Sequence, residues 1–178
     1  MEFKDFEQLI LTRQATRDFN DKPLDKEVVL QIAKATMLAP SACNSQPWKL
    51  YCVTSSEKVE EVTKAVQGKV QNRFLDKAKA YICFADQMAT LKPEAMVRFD
   101  RNHFVQYDVG EAVAYATLCA ETLGVKSCII GWVDKEKISK ALSLSEKEVC
   151  NVVVALGYSD APVRKKVRKD QEKVIVEI

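Results

Sequence analysis

The sequence predicts one α and β domain, spanning residues 1–178, in which helices and strands alternate along the chain. Three observations lead there. A chain of 178 residues is a comfortable size for a single domain and buries enough surface to stand without disulfide or metal staples. Stretches with apolar residues at helical spacing are separated by short continuous apolar runs bounded by charges, the pattern of buried strands. Caps, prolines and glycines fall between these stretches, where element ends are expected.

Phe3, Phe6, Leu9 and Ile10 recur at helical spacing and predict an amphipathic helix over residues 3–13, ending at Arg13. Asp25 reads as the cap of a second helix, with Val28, Val29, Ile32, Ala33 and Met37 on one face, ended by Ala39-Pro40. Leu50, Cys52 and Val53 predict a strand, and Ser56 opens a helix to about Val66, with Gly68 near its end. Residues 78–85, centred on Tyr81-Ile82-Cys83-Phe84-Ala85, predict a buried strand. Residues 86–103 lose periodicity and form a long excursion with room for one helical turn, the kind of segment that often serves as a lid or substrate loop. The strongest helix signal covers 104–123, where Val109, Ala112, Val113, Ala116, Cys119, Ala120 and Leu123 line one stripe and Gly124 closes the end. Val125 to Trp132 predicts a strand, Asp134 opens a short helix, and Val149 to Gly157 predicts the last core strand.

Composition excludes several functions. Lys plus Arg at 27 against Asp plus Glu at 25 leaves +2, too weak a bias for a nucleic-acid binder or an acidic membrane surface. Anion binding must therefore be local. The six cysteines, Cys43, Cys52, Cys83, Cys119, Cys128 and Cys150, show no C-x-x-C spacing and read as buried thiols of a reducing compartment, neither a disulfide framework nor a metal site. The charged start Met1-Glu2-Phe3-Lys4-Asp5 lacks the apolar core of a signal peptide, and no run reaches the length of a membrane span. A cytoplasmic protein is expected, with no membrane partner. His103, the only histidine, is expected to serve packing or the surface despite its useful intrinsic pKa.

Three short stretches carry the functional signal. Ala39 to Trp48 places two prolines, small residues, Asn44 and Gln46 between a helix and a strand. Carboxamides supply both donors and acceptors, which suits the edge of a flat heterocycle; the same residues also make an ordinary turn. Arg13 and Arg17, four residues apart around Ala15 and Thr16, could grip a phosphate with paired guanidinium donors, or pair with Asp18 and Asp21. The tail holds Arg164, Lys165, Lys166, Arg168 and Lys169 and then an apolar end, Val174, Ile175, Val176 and Ile178. A charge run is usually a solvated face. Here no aromatic residues are interleaved for base stacking, and the apolar end suggests a segment docked on its own or a partner subunit.

In order along the chain, Arg13-x-x-x-Arg17-x-Phe19, Pro40-Ser41-x-x-Asn44-x-Gln46-Pro47-Trp48, Asp108-x-Gly110, Leu123-Gly124, Ile130-Gly131-Trp132, Gly157-Tyr158 and Lys166-x-Arg168 resemble the nitroreductase family of flavoproteins in its short form. The resemblance implies an α+β sandwich with a mixed central β-sheet flanked by helices. It implies an intertwined homodimer with FMN at the subunit interface, the 104–123 helix against its twin, and the tail from about 160 to 178 docked on the partner. Arg13 and Arg17, with Lys166 and Arg168, would hold the FMN phosphate. Ala15 stands where family members usually carry serine, so one hydroxyl contact is missing there unless Gln14 compensates. Pro40, Ser41, Asn44 and Gln46 would face the ring, and the backbone amides of Ile130 and Gly131 would meet its redox-active edge.

The activity implied is ping-pong hydride transfer, in which NAD(P)H reduces FMN and an acceptor such as a nitroaromatic or quinone is reduced in turn. In such an enzyme the cofactor carries the chemistry and no side-chain nucleophile, catalytic residue or metal is required. Two alternatives stand beside it: a relative with specialised flavin chemistry, such as dehalogenation or flavin breakdown, and a non-catalytic binding protein for flavin or, through its basic tail, nucleic acid.

Overall fold

The computed structural model describes residues 2–69 and 71–178; Met1 and Val70 lie outside the described residues. Among the described residues six α-helices, α1 (Phe3–Thr12), α2 (Lys26–Thr36), α3 (Ser56–Val66), α4 (Pro93–Met96), α5 (Val105–Thr122) and α6 (Lys135–Leu142), are interspersed with four strands. The strands are β1 (Trp48–Val53), β2 (Ala80–Asp86), β3 (Lys126–Ile130) and β4 (Val149–Gly157), in the spatial order β1-β2-β4-β3. Among the described residues all three strand pairings are antiparallel, and parallel pairing is confined to a single bridge between Ala15 and Ser127.

The sheet is the middle layer of an α+β sandwich. Side chains alternate across a strand, so Ala80, Ile82 and Phe84 of β2 and Val154 and Leu156 of β4 face α2 and α5. Tyr81, Cys83, Val153 and Ala155 face α3 and α6 on the other side. Cover on both faces explains why β2 reads as an unbroken apolar run. Buried Thr63 and Tyr81 share a hydroxyl hydrogen bond of 2.6 Å, which satisfies the polar tip of Tyr81 within that layer.

The caps act as expected. Asp25 accepts from the Glu27 N–H at 3.1 Å and Asp134 from the Lys137 N–H at 3.1 Å. Gly124, at φ +70°, takes the left-handed conformation that ends α5, and the following Val125 N–H returns to the Ala120 carbonyl at 2.9 Å.

Helix α1 forms as predicted, but most of its apolar stripe is uncovered within the chain: Phe3, Phe6 and Ile10 are exposed, as are neighbouring Leu11 and Met37, the residue that caps α2, while Leu9 is half-buried. These residues flank the sandwich without reaching either core layer. Of the cysteines, Cys83, Cys128 and Cys150 are buried as expected, Cys52 and Cys119 half-buried, and Cys43 exposed, because it lies on a surface loop. Burial pushes the Cys83 and Cys128 thiols up from their ordinary pKa, and thus toward inertness. His103 stacks on Phe99 with ring centroids 4.5 Å apart and meets Phe104 edge-on at 4.7 Å. No described helix is long and apolar enough to cross a membrane.

Candidate functional site

Helix α1 ends by delivering Arg13, whose N–H still reaches back to the Leu9 carbonyl at 3.0 Å. The chain then runs beside β3: Ala15 bridges to Ser127, and the Thr16 N–H donates to the Ser127 carbonyl at 2.9 Å. Phe19, 2 % exposed, pins the far end of this segment. Its ring occupies the space that a side chain at 157 would need, since a Cβ placed on Gly157 would fall 2.8 Å from it. Phe19 and Gly157 are thus a packing pair.

The tail docks on the same segment. Gln14, buried, donates through Nε2 to the Pro162 carbonyl at 3.2 Å, and its Oε1 accepts from the Arg164 N–H at 3.2 Å and from Arg164 Nε at 3.1 Å. Arg164 Nη2 donates to the Ala15 carbonyl at 2.6 Å, and Lys166 Nζ donates to the Arg13 carbonyl. The Gln14 carboxamide is therefore occupied in holding the tail. The sequence did not single out Arg164 from its basic run, yet this residue makes the most contacts to the Gln14–Ala15 turn.

This docking gathers Arg13, Gln14 and Ala15 with Arg164 to Arg168 around a cavity of about 490 Å³. Arg17 faces a second cavity of about 300 Å³, which shares Gln14, Ala15 and Arg164 with the first. No acidic residue lines the larger cavity. Asp21, one of the partners weighed for Arg13 and Arg17, is taken by Lys77 at 3.0 Å and Lys79 at 3.7 Å. Among the described residues Arg13, Arg17, Arg164, Lys166 and Arg168 form no ion pair. Burial, and then the nearby Arg13 and Arg168 charges, lower the Lys166 ammonium from its ordinary pKa. Asp18 lines the smaller cavity beside Arg17 without pairing with either arginine, and Glu121, itself paired with Lys126, acts on Lys166 from a distance, so the cluster is a set of like charges with no ion pair among the described residues.

Pro40, Ser41, Asn44 and Gln46 line neither cavity and form a separate group. Their loop is unusual in its backbone: Cys43, Asn44 and Gln46 have φ of 53°, 52° and 47°. Each non-glycine residue in this left-handed region costs about 1–2 kcal/mol, so the shape is held by other contacts. Ser41 Oγ accepts from the Gln46 N–H at 2.9 Å, and Gln46 Nε2 donates to the Asn44 carbonyl and Oδ1, each at 3.2 Å. Ser45 Oγ accepts from the Thr90 N–H at 2.7 Å, and the Gln87 N–H donates to the Pro47 carbonyl at 2.9 Å. The excursion that begins at Asp86 is thereby tied to this loop. Deeper in, the Ala42 N–H donates to Oδ1 of Asp108, on the first turn of α5, at 3.0 Å. Pro40, Asn44 and Gln46 are exposed, and Ser41 is half-buried.

Ile130 and Gly131 lie at the end of β3. The Ile130 side chain is buried in the layer under α3 and α6, and its backbone is paired with Val153 of β4. A Cβ at Gly131 would meet nothing within 4 Å, and its φ is not in the left-handed region. Neither the backbone nor a neighbour within the chain demands glycine there. A bare backbone there leaves room for close approach from outside. Ser127, beside the cation cluster, and Gly131 are separated by about 13 Å of strand.

The comparisons with known proteins agree with one another. The model of the Nitroreductase family matches residues 10–158, so Lys166 and Arg168 lie beyond the matched segment. A protein of Archaeoglobus fulgidus, named provisionally as an NADH dehydrogenase/NAD(P)H nitroreductase, is 33% identical over 156 residues, covering 85% of this chain and 83% of its own. The FMN reductase (NAD(P)H) of Bacillus subtilis is 24% identical over 173 residues, covering 90% of this chain and 68% of its own. The crystal structure of a nitroreductase family protein from Streptococcus pneumoniae superposes with a TM-score of 0.84 at 23% identity, covering 97% of this chain and 100% of that one. With a family match across most of its length and a fold shared with solved members, the chain belongs to the nitroreductase family.

Proposed function

We propose that the chain is an FMN-dependent oxidoreductase that draws electrons from NAD(P)H and passes them to nitroaromatic, quinone or similar acceptors in two alternating half-reactions. The observation that carries this reading is the uncompensated cation cluster: Arg13, Arg164, Lys166 and Arg168 converge on a cavity that no acidic residue lines. Such a site is unfavourable without an anion and suits a phosphate monoester, whose oxygens accept several charge-assisted bonds at once. Arg17 would reach the same group from the adjoining cavity.

The residues present fit the rest of FMN. The strand from Ser127 to Gly131 leads from the phosphate end to an open, side-chain-free position, a span suited to a flat ring joined to a phosphate by a five-carbon chain. Bound there, the flavin would supply reversible two-electron chemistry. Backbone N–H groups at Ile130 and Gly131 would donate to the ring and favour negative charge on it. The loop of Pro40, Ser41, Asn44 and Gln46 would supply the outer wall and exclude water. Support for FMN and NAD(P)H comes also from the names of the Bacillus subtilis relative and of a Staphylococcus epidermidis structure provisionally named an NAD(P)H:FMN oxidoreductase.

The site is completed in a homodimer. The loop and the cation cluster do not meet in one chain, α1 exposes its apolar stripe, and the tail ends in exposed Val174, Ile175, Val176 and Ile178. Gly110 sits exposed in the middle of α5, and an added Cβ there would meet nothing within 4 Å. A helix-interior glycine costs about 0.5–1 kcal/mol, which a closely packed partner helix would offset. Residues 1–178 then act as one FMN-binding unit whose tail docks on the partner.

The test is a visible absorption spectrum of the purified protein incubated with FMN and dialysed, followed anaerobically by NADH or NADPH and then by a panel of acceptors. A retained flavin band, bleached by either nucleotide and restored by nitroaromatics and quinones, supports the proposal. Retention of flavin with no bleaching refutes the enzymatic reading, and turnover of neither acceptor class refutes the broad specificity.

A further inference from the structure

Asp108 is an acidic residue on a buried stripe. Val105, Val109, Ala112, Val113 and Ala116 of α5 all face the core beside it, and Asp108 itself is 4 % exposed. Packing alone would favour an apolar side chain there, since a carboxylate taken out of water without enough partners is costly. Its position on the first turn of α5 lessens that cost, because unpaired N–H groups make a helix N-terminus positive. The positive end still does not explain why the fold keeps an acid there.

The loop explains it. Oδ1 of Asp108 accepts the Ala42 N–H at 3.0 Å, while Oδ2 is buried with no hydrogen-bond partner. This bond joins residues 66 apart in sequence. It fixes the start of the segment whose Cys43, Asn44 and Gln46 all sit in the left-handed region. The other hydrogen bonds of the loop are local or lead to the exposed excursion: Ser41 to Gln46, Gln46 to Asn44, and Ser45 to Thr90. Among these side-chain bonds, only the one to Asp108 ties the loop to a core helix.

We propose that Asp108 is the positioning residue of the 41–46 loop, anchoring its strained backbone to α5 and so presetting the wall that meets the ring end of the site. The role in ring binding rests on the flavin reading above; the anchoring of the loop does not. Asparagine at 108 retains an oxygen for the Ala42 N–H, whereas alanine removes the acceptor.

The experiment measures amide hydrogen exchange across residues 39–48 in the wild type, D108A and D108N, together with FMN and inorganic phosphate binding. Expected are exchange in D108A that is faster at 41–46 than in the wild type, FMN binding weaker by roughly tenfold or more, and unchanged binding of inorganic phosphate. D108N is expected to keep the loop protection and to hold FMN within about threefold of the wild type, half a logarithmic unit or less in affinity. Unchanged loop exchange in D108A, or equal loss in D108N and D108A, overturns the anchor. Should D108A fail to fold, D108N alone decides: retained protection at 41–46 supports the anchor and its loss overturns it. If the wild type takes up no FMN, the flavin reading falls, while the exchange data still decide the anchor.

Discussion

The two ends of the proposed site are held in place by opposite means. At the phosphate end, the 13–17 turn and the tail are laced together by Gln14, Arg164 and Lys166, and like charges face a cavity that no acidic residue lines. At the ring end, a strained loop is neutral at its surface, and its one charged contact is the buried Asp108. The first arrangement stores repulsion that a ligand relieves; the second stores backbone strain that the fold balances in advance. Affinity should therefore come mainly from the first end and shape from the second. Salt and pH should act on the first and leave the second untouched.

The largest effect should come from removing charge at the phosphate end. Arg13→Ala with Arg168→Ala is expected to weaken FMN binding by about a hundredfold or more, each charge-assisted hydrogen bond being worth about 1.5–3 kcal/mol, as read by fluorescence titration. Full FMN retention in the double variant at high salt would break the comparison. Gln14→Ala comes next. It removes the socket for Pro162 and Arg164, so the tail should become sensitive to trypsin at 164–169 and FMN should bind roughly tenfold more weakly, the equivalent of about one lost buried hydrogen bond. A protected tail would show that other contacts hold it.

Gly157→Ala tests packing without touching either end's chemistry. The new methyl would fall 2.8 Å from the Phe19 ring, and overpacking of this kind costs about 1–3 kcal/mol, measurable by urea unfolding. Gly131→Ala should do the reverse. With nothing within 4 Å of the added Cβ, the stability of the unliganded protein should change by less than about 0.5 kcal/mol while flavin binding weakens. A variant that binds FMN as tightly as the wild type would remove Gly131 from the site.

The smallest effect is pH dependence. Burial and the neighbouring Arg13 and Arg168 lower the Lys166 pKa in the free protein, and an anion drawn into the cavity should raise it again. FMN binding is therefore accompanied by proton uptake at alkaline pH. Affinity should decline as pH rises through the lowered pKa of free Lys166, and the decline should vanish in Lys166→Met. In the unliganded protein the sign is opposite: the depressed ammonium penalises folding at low pH, and stability recovers as pH rises toward the ordinary lysine value.

Much of the fold was legible because its signals are local. The α5 stripe, the Asp25 and Asp134 caps and the doubly covered β2 run follow from periodicity and capping alone. The Arg13–Arg17 and Lys166–Arg168 segments were legible as clustered cations, assigned to one phosphate only through the family resemblance, because their convergence depends on a turn-to-tail contact across about 150 residues. Arg164 was hidden because adjacent cations in a run look alike until one of them is seen to fit the Gln14 carboxamide. Asp108 left a usable trace, an acid at a core position of a mostly apolar stripe, but its acceptor role depends on the Ala42 N–H, which carries no side-chain signature. The exposed stripe of α1 reads in sequence like any amphipathic helix, since periodicity shows which face is apolar and not what covers it.

The central claim is that a phosphate dianion held by the cation cluster supplies most of the cofactor's affinity. Parallel titrations of FMN and riboflavin, which differ only in that phosphate, at low and high salt test it most directly. The account predicts FMN binding at least about a hundredfold tighter than riboflavin at low salt, a gap that narrows steeply as salt is raised while riboflavin affinity stays flat. Equal affinities for the two flavins, or a gap insensitive to salt, would contradict it.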